Sequence, residues 1–200
     1  DILEHYFEQF LQFFFPEIHR DIDWARGVIF RDKELQAIVR DGAVRKRIAD
    51  KLAQVFLRDG SEAWILIHVE IQGDPQRDFP ERIYIYNSKI FLSYKREVVS
   101  LVVLTDANSS WCPDTYVSKR WCFEHILRYP VVKLFHYRDK WAELEANPNP
   151  FAIVVMAHLK DHEARTDKDR FHAKLTLIRR LCKRGYERAD IIHLFRFIDW

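Results

Sequence analysis

The chain has almost no excess of charge of either sign: 32 Lys+Arg stand against 30 Asp+Glu in 200 residues, a formal net charge of +2. Proteins that hold nucleic acid by charge neutralisation usually carry a large basic excess, so composition alone does not point to such a partner. Cysteine is scarce as well. Cys112, Cys122 and Cys182 are odd in number and lack CxxC spacing, which argues against a disulfide framework and suits reduced thiols in a cytosol. Apolar runs are short: Trp64 to Ile67 and Val98 to Leu104 fall far below the roughly 20 residues of a bilayer span. The N-terminus lacks the basic, apolar, small-residue order of a secretory signal. The expected setting is therefore cytoplasmic, without a membrane partner. No Walker loop, dinucleotide fingerprint or Ser/His/Asp order is present.

What the chain does have is 48% hydrophobic and 14% aromatic residues, enough for one domain with a large core. Its neutrality is an average. Residues 1–30 hold six acids against two bases, and residues 164–188 hold nine bases against three acids. A basic C-terminal face of this kind can lie near phosphates or be an ordinary solvated helix surface. Leu3, Phe7, Phe10 and Phe14 are spaced as an amphipathic helix that ends at Pro16. His158 and His162 lie four apart, a spacing used for zinc, but no third ligand accompanies them and two solvent-facing histidines are the better reading.

The middle of the chain changes period. "RKRIADKLAQVFLRDG" and "SEAWILIHVEIQGD" flank an Asp59-Gly60 turn and predict a β-hairpin. In its second strand Ile65, Ile67, Val69 and Ile71 share one face, while Trp64, Leu66, His68, Glu70 and Gln72 share the other. Phe79, Ile83, Tyr86, Ile90 and Tyr94 then predict a helix with a proline in its first turn. "EVVSLVVLTD" follows as a strand buried on both faces, hence with a parallel neighbour reached through a helical crossover. A loop is expected from Trp111, a strand in "VVKLFHYRD", and helices from residue 150 to the end.

Asp50 early in the first hairpin strand and Glu70 late in the second meet at one end of the pair, with Gln72 on the same face as Glu70. Two converging carboxylates suit a hard cation such as Mg²⁺. Acid pairs beside hairpins also form surface salt bridges, and the sequence does not fix the register, so both readings stand at this point. Arg82 and Tyr86, at i and i+4 on the next helix, are placed to contact phosphate and base. Tyr86 lies on the apolar stripe, which favours core packing, and Arg82 can equally pair with an acid.

The stretch "RIADKLAQVFLRDGSEAWILIHVEIQGDPQRDFPERIYIYNSKIF", with "VVSLVVLTD", "NPFAIVVMAHLK" and the terminal "FIDW", resembles the recombination-promoting nuclease and transposase family of the PD-(D/E)XK superfamily. The resemblance runs from "FFFPEI" to Trp200. It implies an α/β, restriction-endonuclease-like fold: a mixed central sheet with an αβββαβ core over residues 1–146, and a helical extension over 147–200 packed on it in the same domain. It further implies a DNA endonuclease that hydrolyses phosphodiester bonds in recombination or transposition, dependent on Mg²⁺ with Mn²⁺ able to substitute. Asp50, Glu70 and Gln72 are the implied catalytic residues. Asp50, Glu70 and the carbonyl of Ile71 are the implied metal ligands, and Arg82 is a substrate contact. Glu4, Glu8 and Glu34 are further acids available as outer ligands.

Two departures stand out. Ala49 replaces the motif proline, a backbone-setting position. Gln72 replaces the usual lysine, and a neutral amide can orient water through hydrogen bonds but adds no positive charge. That departure keeps an alternative open: a nuclease-like module that has lost cleavage and serves to bind DNA or another protein. A homodimer is the simple way for single-strand active sites to cut both strands.

Overall fold

Aromatic residues at helical spacing open the chain as α1 (Ile2–His5), α2 (Phe7–Phe14) and α3 (Pro16–Asp21). The computed structural model describes residues 2–40, 50–70 and 77–198, with the backbone alone at 2, 38–40, 50, 68–70 and 195–198. Leu3, Phe7, Phe10 and Phe14 are buried as their spacing predicts. The single expected helix is interrupted at Tyr6; it ends at Phe14, just before Pro16 as the spacing predicts, and Pro16 also starts a helix of its own. A proline lacks only an N–H that has no partner in a first turn, so it begins helices readily.

There follow β1 (Val28–Phe30), α4 (Asp32–Arg40), β2 (Asp50–Phe56), β3 (Glu62–Glu70), α5 (Phe79–Tyr94) and β4 (Val98–Leu104). Next come β5 (Thr115–Arg120), β6 (Phe123–Arg128), β7 (Val131–Lys133) and a 3₁₀ segment, Leu134–Lys140. The chain closes with α6 (Trp141–Ala146), α7 (Pro150–Glu163), α8 (Asp167–Lys183) and α9 (Arg188–Ile198). The molecule is mixed α/β. Packing divides it into two compact units, Asp21–Lys133 and the combination of Asp1–Arg20 with Leu134–Trp200. This grouping joins the N-terminal helices to the C-terminal ones, a long-range choice that no local period encodes.

In the first unit the strands run in the order β1-β2-β3-β4-β7. β1, β2 and β3 are antiparallel neighbours, while β3, β4 and β7 are parallel. The predicted hairpin is β2–β3, turned at Asp59-Gly60, where Gly60 sits at φ 90° and Asp59 Oδ1 accepts the Ser61 N–H at 2.8 Å. The crossover expected before the valine-rich strand is α5, which returns the chain so that β4 pairs parallel to β3. Its stripe covers one sheet face. Tyr86 and Ile90 pack with Leu35, Leu52, Trp64 and Leu66, while Phe79 and Ile83 pack with Val102, Leu104 and Tyr129.

Three local expectations change. β1 has no counterpart among the elements that the sequence predicts, because three residues are too few to display a period. "VVKLFHYRD" contributes only Val131–Lys133 as strand before turning into the 3₁₀ segment. The expected loop after Trp111 contains the hairpin β5–β6, whose six-residue strands alternate only weakly between buried and exposed.

The second unit is built around α7, whose residues Pro150 to Ala157 are all buried, as befits a helix enclosed by others. Phe151 meets Phe10 and Phe14 of α2 at ring separations of 5.4 and 5.6 Å. Asn149 caps α7 by accepting the Phe151 N–H at 3.0 Å, and its Nδ2 donates to the Gln9 carbonyl at 2.9 Å. The basic 164–188 stretch forms α8, whose N-terminus carries a capping box between Thr166 and Asp169. Several of its bases are engaged locally: Arg170 with Asp161 at 3.5 Å, Arg180 with Glu145 at 2.7 Å, and Arg184 with the Asn147 carbonyl at 2.8 Å. His158 and His162 lie edge to face at 4.5 Å. Among the described residues no helix is long and apolar enough to cross a membrane, and all three cysteines are free thiols.

Candidate functional site

Strand register decides whether the two acids of the hairpin can meet. Asp50 pairs directly with His68, so β2 and β3 place Asp50, His68 and, two residues further along β3, Glu70 on one sheet face. Diagonal neighbours of this kind are about 7–8 Å apart at Cα, a separation that two carboxylate side chains can close onto one cation. Carboxylates are the donor type that suits a hard divalent ion. The side chains of Asp50 and Glu70, and the whole of Ile71 and Gln72, lie outside the described residues. Among the described residues, no group of three or more His, Cys, Asp or Glu side chains is gathered to hold a metal.

The same end of the sheet receives Arg82. Glu70 pairs with Leu104 and His68 with Val102, and those two β4 residues are the ones covered by Phe79 and Ile83 in the first turns of α5. Arg82 therefore belongs to the end of α5 nearest the acids. Its side chain is half-buried, with the guanidinium carbon 5.3 Å from the centre of the Phe79 ring. Tyr86, one turn on, is buried in the cluster around Leu52 and Leu66. Its position on the apolar stripe decides its role, and it packs in the core.

The lysine adjacent to Asp50 is turned the other way. Lys51 occupies the opposite sheet face, is buried, and binds Asp32 at 2.7 Å, so it offers no positive charge on the face that carries Asp50. Glu34 is also committed elsewhere: Arg31 holds it at 3.2 Å and also donates to Gln54 Oε1 at 3.1 Å. Gln54 lies four residues along β2 from Asp50, about 13 Å at the rise of a strand. Glu8 faces His19 at 3.6 Å in the helical unit.

One charged pair at this end of the sheet has no signature in the sequence. Lys133 stands beside Leu104 in the β4–β7 register, and Leu104 stands beside Glu70. Its Nζ donates to Asp106 Oδ1 and to the Trp111 carbonyl, both at 2.7 Å. Asp106 Oδ1 also accepts the Asn108 N–H at 2.9 Å. The two residues are 27 apart in sequence, and only the parallel pairing of β4 with β7 brings them together. The pair fixes the 105–111 loop where that loop leaves β4. Cys112, just beyond, has its thiol pushed up chiefly by burial, with the Lys133 charge acting in the opposite direction.

In the helical unit a cavity of about 500 Å³ is lined by Tyr6, Ala146, Pro148, Arg184, Gly185, Tyr186 and Asp190. Its polar groups are mutually engaged. Burial first, and then the hydrogen bond to Asp190, hold the Tyr6 phenol well above its ordinary range, and Arg184 is bound to two backbone carbonyls. In comparisons with known proteins, no family model, no curated protein and no solved structure matches this chain.

Proposed function

We propose that the protein is a Mg²⁺-dependent DNA endonuclease of the PD-(D/E)XK type, acting in recombination or transposition. The observation that carries this reading is the β2–β3 register, which sets Asp50 and Glu70 diagonally on one face at the open end of the hairpin, beside the C-terminal end of the parallel strand β4. The element order supports it. After α3 come β1, β2, β3, α5 and β4, the succession of an αβββαβ core, with α4 inserted between β1 and β2.

Asp50, Glu70 and the Ile71 carbonyl would hold the ion. When bound, Mg²⁺ supplies polarisation of the scissile phosphate and a lowered pKa for an attacking water. The protein's own groups do the rest. Gln72, two residues after Glu70 in the sequence, is a donor and acceptor suited to orienting the water for in-line attack. Arg82 brings a permanent positive charge to the same end of the sheet and is suited to a phosphate flanking the cut.

The test is nicking of supercoiled plasmid. Wild-type protein should cut with Mg²⁺ and with Mn²⁺ and should not cut in EDTA. Asp50→Ala and Glu70→Gln should leave the plasmid intact while keeping the wild-type circular dichroism spectrum. Wild-type protein that binds DNA and never cuts it would replace this reading with that of a module for DNA or protein binding.

A further inference from the structure

The hairpin β5–β6 is anchored at one end and bare at the other. Among the described residues, β5 and β6 pair only with each other. At the root, Tyr116 stacks on Tyr84 of α5 with ring centres 4.5 Å apart and planes 8° apart, and His125 meets Tyr84 edge-on at 4.8 Å. Leu127 packs against the cluster of Phe79, Ile83 and Val102. The ribbon is therefore held by the same helix that covers the candidate site.

At the tip these supports end. Trp121 is 89% exposed and Phe123 is 62% exposed, and the cross-strand pair Val117 and Ile126 is exposed on the outer face. A two-residue loop, Trp121-Cys122, joins the strands, and Trp121 adopts φ 53°. That left-handed conformation is one that bulky side chains seldom take, and glycine is its usual occupant in tight hairpin turns. A large ring is thus held out in water at a position where the backbone prefers no side chain, and no packing among the described residues accounts for it. The charge is one-sided: residues 115–128 carry Lys119, Arg120 and Arg128 against Glu124 alone. Glu124 is paired with Lys119 at 3.3 Å, and the Arg120 guanidinium lies 5.8 Å from the Trp121 ring centre.

We propose that this ribbon is a DNA-binding arm whose Trp121 and Phe123 tip stacks on unpaired bases while Lys119, Arg120 and Arg128 hold the adjacent phosphates. Exposed aromatic rings beside bases of positive charge are the two components of single-strand recognition: stacking tolerates any base, and the cations follow the backbone. A paired duplex hides the faces of its bases, so the arm favours single-stranded or distorted segments. Attachment of the root to α5 carries this preference to the cleavage site. The partner class rests on the DNA reading above, but the arm acts by binding and needs neither Asp50 nor Glu70.

The test is fluorescence anisotropy in EDTA, where no cutting occurs, using a labelled oligothymidine strand and a blunt duplex of equal length. Wild type and Asp50→Ala should bind the single strand more tightly than the duplex. Trp121→Gly removes the ring and gives the turn its favoured residue, so the fold is retained while binding weakens about tenfold or more. The double variant Lys119→Glu/Arg120→Glu should flatten the dependence of affinity on salt, because fewer phosphate counterions are released. Equal binding by wild type and Trp121→Gly overturns the arm, as does a wild type that ignores single strands. Loss of self-association in Trp121→Gly with unchanged DNA binding also overturns it and assigns the surface to a second copy of the chain. The two proposals fail separately: Trp121-dependent binding without cleavage sinks only the nuclease, and Asp50-dependent cleavage with normal Trp121→Gly binding sinks only the arm.

Discussion

Lys133 and Asp106 form an ion pair of 2.7 Å between β7 and the end of β4, with side chains only 0% and 2% exposed. Both charges have left water, so each depends on the other. Asp106 Oδ2 has no hydrogen-bond partner among the described residues, which leaves Lys133 as the principal compensation for the buried carboxylate.

Removing one member strands the other. Lys133→Met should lower the unfolding free energy by about 3–5 kcal/mol. The double variant Lys133→Met/Asp106→Leu should recover most of that loss, since it buries no charge. Urea unfolding of the three proteins checks both values, and a double variant no better than the single would show that the pair is not mutually dependent.

Under the proposed nuclease reading, Gln72 takes the place of the lysine in the motif that the sequence resembles, so the water it would orient would gain no help from a positive charge at that position. Gln72→Ala should reduce the rate of plasmid nicking about 10²-fold or more, on the scale of other groups that position a reacting water or proton. Gln72→Glu should be no better, because an added negative charge opposes the developing charge on phosphate. Single-turnover nicking rates at saturating Mg²⁺ provide the measurement.

Leu66 is fully buried on the face that α5 covers, between Leu52 and the β4 strand. Leu66→Ala should destabilise the sheet unit by about 2–5 kcal/mol through lost transfer energy and the cavity left behind. Chemical denaturation followed by tryptophan fluorescence reads this loss, and a change below about 1 kcal/mol would mean that the site collapses freely.

Asn149 does two things at the start of α7, capping the helix and holding the Gln9 carbonyl. Asn149→Ala removes both and should cost more than the roughly 1 kcal/mol of a simple cap. Asn149→Asp keeps the acceptor for Phe151 and loses the donor to Gln9, so it should fall between wild type and alanine. Thermal melts of the three proteins should rank them in that order.

Glu145 is held below the ordinary carboxylate range first by its hydrogen bond from Arg180 and then by one from Trp141. Its folded value lies under the unfolded one. Its contribution is therefore present above the unfolded pKa and is lost as pH falls through the depressed folded value. Arg180→Ala should lower the melting temperature at neutral pH and make the decline in acid shallower. Parallel slopes for the two proteins below pH ~4, the usual carboxylate region, would exclude this link.

Much of the fold was legible where a period ran long enough to be seen. The α5 stripe from Phe79 to Tyr94, the β2–β3 hairpin and the parallel placement of β4 all follow from spacing, turn residues and unbroken apolar character. Short or weakly patterned elements were not legible: β1 has three residues, and β5–β6 expose residues on both faces. The acids Asp50 and Glu70 could be nominated from sequence, but their common face could not. A slip of one residue in the β2–β3 register would have sent them to opposite sides.

The sequence by itself determined the local choices, because helix spacing, strand alternation, caps and turns depend on residues only a few positions apart. Tertiary structure alone decided the rest. It joined residues 1–20 to 134–200, buried Lys133 against Asp106 across 27 positions, set Lys51 against Asp32, and left Trp121 bare at the end of a ribbon. The physical reason is the same in each case: these outcomes depend on which distant surfaces exclude water together, and that is set by the packing of whole elements. The near absence of net charge takes on a different meaning in this light. A total of +2 averages over a chain that keeps some charges buried in pairs and presents others, Lys119, Arg120 and Arg128 among them, on one small exposed hairpin.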